Sequence, residues 1–299
     1  MALRRGKPHR GGSTGMVVGL LGPSLLLIAV FVIGPVGYSL WLSLTNKTLI
    51  GFGAQSPKFI GLENFRQLLT SSDFLQSLGR TAQFTFFSAI VGQFVLGMLA
   101  AVLLTKSAVR AKGAFGGAIL LPMVVPEVVA SLAWASMLAP GGLGTANRGL
   151  GVIGFGPLAW LQEHPMASLI VVNTWRGIAF AMIMFQAAIE GISDDLIEAA
   201  RIDGAGARQL FRRVTLPLIR GPVFLFLLLT TITTASVFGL IYFLTRGGPG
   251  QQTQVTSIYI YEHSFAFFQL GLGSAASVIL LALVLVLGLT YVRLAKVEV

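Results

Sequence analysis

The sequence predicts an all-α, polytopic membrane protein of six transmembrane helices with one cytoplasmic loop that is itself helix-forming. Three observations carry that prediction. Hydrophobic residues make up 55% of the 299-residue chain and charged residues only 11%, where a soluble domain carries about 25% charged residues. The apolar residues gather into six stretches, over residues 16–44, 82–105, 114–138, 166–190, 222–244 and 271–292. A helix needs about 20 such residues to cross a hydrocarbon core of about 30 Å, where only closed hydrogen-bonded structures satisfy the backbone. Between the fourth and fifth stretches, residues 191–221 are conspicuously hydrophilic. The expected organisation is a basic cytoplasmic tail over 1–15, a six-span unit over 16–294 and a cytoplasmic C-terminus over 295–299.

The first stretch follows Arg4, Arg5, Lys7 and Arg10. It exceeds the apolar core of a secretory signal, about 7 to 15 residues, and no small-x-small cleavage site interrupts it, so it reads as a retained span. After it, Phe59, Leu62, Phe65 and Leu69 recur at helical spacing. They predict a short helix on the membrane surface, serving either as a cover for the bundle end or as a binding element.

Charge distribution sets the topology. The net charge is +10, yet its placement says more than its sum. With the N-terminus inside, the cytoplasm receives the tail, Lys106, Arg110, Lys112, Arg201, Arg208, Arg212, Arg213, Arg220, Arg293 and Lys296. The other face receives Lys47, Lys58, Arg66, Arg80, Arg148 and Arg246. The positive-inside rule therefore places both termini in the cytoplasm, and nucleic acid is not an expected partner. The chain has no cysteine, which excludes disulfides, thiolate nucleophiles and cysteine metal sites.

Polar residues inside the third and fourth stretches stand out. Glu127 follows Pro126, and Asn173 and Arg176 lie in VVNTWRGIAF. An ionised side chain at the bilayer centre costs at least about 2.5 kcal/mol, so such groups face a cavity or one another. Either Glu127 and Arg176 pair, or bond neighbouring backbone, to fix helix packing, or they line an aqueous cavity and bond hydroxyls. Asn173, Arg176, Gly177 and Phe180 share one helix face, as do Thr230 and Thr234 in the fifth stretch.

In the polar loop, Ser193 is a candidate N-cap, and Asp194 and Asp195 fall in the first turn, where the helix dipole favours anions. Gly204 and Gly206 end that helix. A second helix from Ala207 carries Arg208, Arg212 and Arg213 opposite Leu210, Phe211 and Val214, and Pro217 leads into the fifth span. A surface made for anionic lipid would not carry Asp194, Asp195, Glu198 and Asp203, so this pattern favours docking to a protein. Beyond the fifth span, Arg246-Gly-Gly-Pro-Gly250 predicts a rigid turn.

The spacing Glu198-Ala199-Ala200, three residues, Gly204, nine residues, Val214, one residue, Leu216-Pro217 resembles the EAA motif of permease subunits in binding-protein-dependent ABC importers; the family usually has isoleucine at the position of Val214. FIGLENF at 59–65, TLPL at 215–218 and TRGGPG at 245–250 extend the resemblance to the sugar-permease branch, and the GGP turn resembles its maltose-type half. The resemblance implies a coupling helix in which Glu198, Ala199, Ala200, Asp203, Gly204, Leu216 and Pro217 engage a cytoplasmic ATPase. It also implies a substrate site at Glu127, Asn173, Arg176, Gly177, Phe180, Thr230 and Thr234, with Phe180 or Trp175 stacking on a sugar ring.

The implied partners are a second permease subunit forming a heterodimer, two copies of the ATPase, an extracytoplasmic solute-binding protein and membrane lipid, in a prokaryotic inner membrane. The chain lacks a G-x-x-x-x-G-K-[ST] phosphate loop. It is therefore expected to bind no cofactor, with ATP and Mg carried by the partner ATPase. A glycerol-phosphate or other polyol-phosphate permease is the nearest alternative. An intramembrane enzyme lacks a nucleophile with a base, or a carboxylate pair at span depth, and a passive channel leaves the polar loop unexplained. No metal site or catalytic residue is expected.

Overall fold

The computed structural model describes residues 14–106 and 112–294. Most of the basic tail, Arg110 and the C-terminal residues 295–299 lie outside the described residues. Among the described residues the secondary structure is helical, with one isolated antiparallel bridge between Thr45 and Phe59.

The first span runs over Leu21–Ser43 and is almost wholly exposed on its own chain. Its end is pinned by Asn64, whose side-chain amide donates to the carbonyls of Ser43 and Thr45, both at 2.8 Å. The Ser43 carbonyl is one that a helix terminus leaves without an intrahelical partner. The expected surface helix is corrected here. Phe59 is extended against Thr45, Gly61 takes a φ of +61°, and the helix starts only at Glu63–Thr70. That shift in phase buries Asn64 and Leu68 and leaves Phe59 and Leu62 exposed at 72% and 70%.

The second span is longer than its apolar stretch, running over Ser72–Thr105. Its first turns are polar in composition but amphipathic, with Phe74, Ser77 and Thr81 buried, so a hydropathy window starts it late. The fourth span, Pro165–Glu190, agrees with the expected bounds. It lies against the second span, where a Cβ built at Gly97 would collide with that of Ala181. Small residues at such crossings let helix backbones approach closely in lipid.

Two expected spans are broken. The third consists of Gly113–Val124 and Glu127–Met137, bent by 106° at Pro126. Proline cannot continue the hydrogen-bond ladder and pushes its predecessor out of the helical region. Each half, at about 1.5 Å per residue, is too short to cross alone. The fifth span is helical over Arg220–Ala235, breaks at residues 236–238 and resumes as Gly239–Leu244. The sixth, Leu270–Leu294, closes the bundle against the first and fifth.

The segment between the third and fourth spans folds on Asn147. Its side chain donates to the Ala139 and Leu158 carbonyls and accepts from the Leu158 amide and the Trp160 indole. The Gly247–Pro249 turn is held by Thr253, whose hydroxyl donates to the Gly248 carbonyl at 2.8 Å and whose amide donates to the Gly247 carbonyl.

Gly97→Val is expected to destabilise the bundle by about 1–3 kcal/mol through overpacking. Gly79→Val, at a position where a Cβ meets nothing within 4 Å, serves as its control. Thermal unfolding of the detergent-solubilised variants checks the difference, and equal midpoints would contradict the packing.

Candidate functional site

The second, fourth and fifth spans converge on a cavity of about 420 Å³, within the size range of small-molecule sites. Six of the seven expected substrate residues stand on its wall: Asn173, Arg176, Gly177, Phe180, Thr230 and Thr234. Pro122 and Met123 close it from the end of the first half of the third span, just before the 106° bend.

Sequence reasoning missed Pro122, Met123, Leu229, Thr233 and Val237 of the wall, and with them the polar Gln93. Gln93 ends a π-helical segment, Phe86–Gln93, inside the second span, and such widened turns recur at functional sites. Its Oε1 accepts from the Thr230 hydroxyl at 2.7 Å and its Nε2 donates to the Asn173 carbonyl at 3.0 Å. Asn173 in turn donates from Nδ2 to Ser88 Oγ at 2.8 Å. Gly177 leaves room for this amide, since a Cβ there would overlap the Gln93 carboxamide. The signal was present as a lone amide in the apolar run AIVGQFVLG.

Glu127 stands beside the cavity rather than on its wall. Its Oε1 accepts from the Leu240 amide at 2.6 Å and lies 3.6 Å from Arg176 Nη1. The pairing left open by the sequence is present, and Arg176 lines the cavity as well. The carboxylate thus caps the resumed helix of the fifth span and balances the one cation among the described wall residues. Arg176 Nε is buried and has no acceptor among the described residues.

Of the two rings expected to stack on a sugar, Phe180 faces the cavity, whereas Trp175 lies edge to face against Trp134, with centroids 5.5 Å apart. The Thr234 hydroxyl has no internal hydrogen bond among the described residues. Thr233, also on the wall, bonds back to Leu229 and Thr230 of its own helix.

The polar loop folds as expected into a helix, a glycine turn and a second helical segment: Asp194–Ile202, then Ala207–Leu218 with a π-helical middle. Ser193 occupies the N-cap position, but its hydroxyl makes no capping bond. Gly204, at a φ of +83°, closes the first helix: the Ala205 amide donates to the Ala200 carbonyl, and the Gly204 amide to that of Arg201. This is a Schellman ending, which needs a left-handed residue and favours glycine. The first helix has no buried residue, and Glu198, Ala199 and Asp203 are exposed. Ile202, the last residue of that helix, is 86% exposed. The second segment is anchored by Leu210 and Ile219, both buried, and the chain bends by 70° at Ile219 into the fifth span. Leu216 packs on the core there, while Pro217 is exposed. Among the described residues no group of three His, Asp or Glu suits a metal ion.

Comparison with known proteins places this architecture. Residues 93–297 match the family model for the binding-protein-dependent transport system inner membrane component. The sn-glycerol-3-phosphate transport system permease protein UgpA of Pectobacterium atrosepticum is 37% identical over 83% of this chain and 82% of its own. The trehalose/maltose transport system permease protein MalF of Thermococcus litoralis is 31% identical over 81% of this chain and 80% of its own. The fold resembles that of a chain in a bacterial ABC transporter that imports alginate, with a TM-score of 0.80, 24% identity and coverage of 94% and 95% of the two chains.

Glu127→Gln keeps an acceptor for Leu240, whereas Glu127→Ala orphans that amide and leaves Arg176 unpaired. The alanine variant is expected to lose about 1–3 kcal/mol more stability than the glutamine variant. Thermal unfolding of both checks this, and equal losses would separate Glu127 from the Leu240 helix.

Proposed function

The chain belongs to the family of binding-protein-dependent transport system inner membrane components, as an ABC importer permease subunit and not itself an enzyme, and on that premise we propose that its cargo is a sugar taken through the cavity at Gln93, Asn173 and Thr230. The observation that carries the reading is the chemistry of the wall. It offers amide and hydroxyl groups with one aromatic face, and its one cation is already balanced by Glu127. Amides and hydroxyls exchange hydrogen bonds with sugar hydroxyls, and Phe180 offers a ring face for stacking. The Arg176–Glu127 pair favours a neutral sugar or glycoside over a phosphorylated polyol, because an anion would meet the carboxylate behind the guanidinium. The relatives named for glycerol phosphate and for trehalose and maltose both carry polyhydroxylated solutes.

In this reading the subunit pairs with a second permease. Two cytoplasmic ATPases bind and hydrolyse ATP with Mg, and an extracytoplasmic binding protein delivers the solute. Both termini and the 191–221 loop lie in the cytoplasm. The helix Asp194–Ile202 seats in a cleft of the ATPase through Glu198, Ala199, Ala200, Asp203 and the exposed Ile202, an apolar anchor with a charged rim. Leu216 and Pro217 join it to the fifth span.

Thr234→Val removes one unengaged hydroxyl without changing side-chain shape. It is expected to cost about 0.5–1.5 kcal/mol of ligand binding, or about 2- to 13-fold in KM for uptake. Thr233→Val, whose hydroxyl is satisfied by its own helix, shifts KM less. Equal shifts in sugar uptake by proteoliposomes would place the ligand elsewhere. At the other end, Glu198→Ala and Gly204→Pro are expected to weaken co-purification with the ATPase or abolish substrate-stimulated hydrolysis while membrane insertion persists. Gly204→Pro replaces a φ of +83° with one fixed near about −65°. Wild-type co-purification together with undiminished stimulation would remove the loop from coupling.

A further inference from the structure

We propose that Gln93 is a ligand-sensitive latch, a positioning residue that holds the fifth span against the second and fourth until a hydroxyl of the solute takes the place of Thr230 on its oxygen. The inference rests on the cavity and coupling-loop readings above.

The two ends of the Gln93 amide are not equivalent. Nε2 donates to the Asn173 carbonyl, and the carboxamide sits in the slot that Gly177 leaves open, so that end is fixed to the fourth span. Oε1 accepts from Thr230, which belongs to the fifth span, and both side chains stand on the cavity wall. The amide therefore ties three spans together, and its tie to the fifth is made between two side chains of the cavity wall.

A sugar hydroxyl can donate to Oε1 while another sugar oxygen accepts from Thr230. The exchange leaves every polar group satisfied and removes the side-chain hydrogen bond that ties the fifth span to the second. An apolar molecule cannot make it, because Gln93 Oε1 and the Thr230 hydroxyl, both nearly buried, would lose their partners. Thr230 lies ten residues, or about 15 Å, along the helix from Arg220. That helix begins at the 70° bend from the polar loop, so release at Thr230 frees the segment that the loop moves. Interhelical hydrogen bonds in membranes shift a two-state equilibrium by about three- to eighteen-fold, enough to hold the unliganded transporter in its resting state while leaving it switchable by a ligand.

The test uses the complete transporter, permease pair with ATPase, in lipid nanodiscs, reading ATP hydrolysis with neither binding protein nor sugar present. Thr230→Val and Gln93→Leu are each expected to raise this ligand-free rate about three- to eighteen-fold. The double variant rises no further than the larger single, because both remove the same bond, and Thr230→Ser, which restores the hydroxyl, rescues most of the effect. A latch-free Gln93 that merely packs the bundle would lower assembly and hydrolysis together. Wild-type ligand-free rates in Thr230→Val, or effects that multiply in the double variant, would overturn the proposal. Should Gln93→Leu not assemble, the isosteric Thr230→Val decides alone. The Thr234→Val uptake experiment reads the cavity separately, so the latch and the cavity fail by different measurements.

Discussion

Everything in this fold depends on how it seals the ends of helices broken within the bundle. Hydrocarbon offers no hydrogen-bond partners, and each orphaned backbone group there costs several kcal/mol. The fifth span nevertheless stops at Ala235 and restarts at Gly239. Both sides of the gap are closed by side chains from elsewhere: Ser257 donates to the Val237 carbonyl at 2.6 Å, and Glu127 accepts from the Leu240 amide. Glu127 can do so because it begins the second half of the broken third span. One break is thus sealed by a residue that another break presents, and the two breaks hold each other. The carboxylate sits where the dipole of the resumed helix favours an anion, and its remaining interaction is with Arg176 on the cavity wall.

That arrangement explains why irregular backbone collects around the cavity. A continuous helix presents only the residues its period allows, whereas a break or a π-turn re-aims the chain. Pro122 and Met123 reach the wall from just before the third-span bend, Gln93 from the end of the π-helical segment, and Val237 from the fifth-span gap. The close approach of the second and fourth spans at Gly97 and Gly177 then brings Gln93 within bonding distance of Asn173.

The sequence made the class of fold, the fourth span, the polar loop and half of the cavity wall legible, each for a physical reason. Apolar runs report lipid directly, and the fourth span is one unbroken helix, so its bounds and the shared face of Asn173, Arg176, Gly177 and Phe180 survive intact. Thr230 and Thr234 survive because they precede the break at 236–238. The losses have equally definite causes. The first turns of the second span are amphipathic, so hydropathy overlooked them. Phe59 was given a helical phase although Gly61 and the pairing with Thr45 delay the helix to Glu63. A proline within an apolar run announces a bend but not its size, and 106° turns one expected crossing into two short halves. Gln93 lay in plain view, but its importance depends on Thr230 and Asn173, which are 137 and 80 residues away in the chain.

The polar loop and the cavity are joined by packing as well as by sequence. The first loop helix buries nothing, so its position is set by the glycine ending and by the segment that follows it. That segment is fixed through Phe211, Leu216 and Ile219 to a core holding Phe185 and Phe226. Phe226 contacts Phe185 and Phe180, at centroid distances of 4.8 and 5.9 Å, and Phe180 is cavity wall. Interiors at crystal-like density do not absorb displacement by compressing. A shift of the loop therefore either carries the fifth-span helix and Phe226 with it or is resisted where that helix is tied, at Thr230. The aromatic contacts convey movement and the Gln93 hydrogen bond opposes it, and both meet at the wall where a solute would bind.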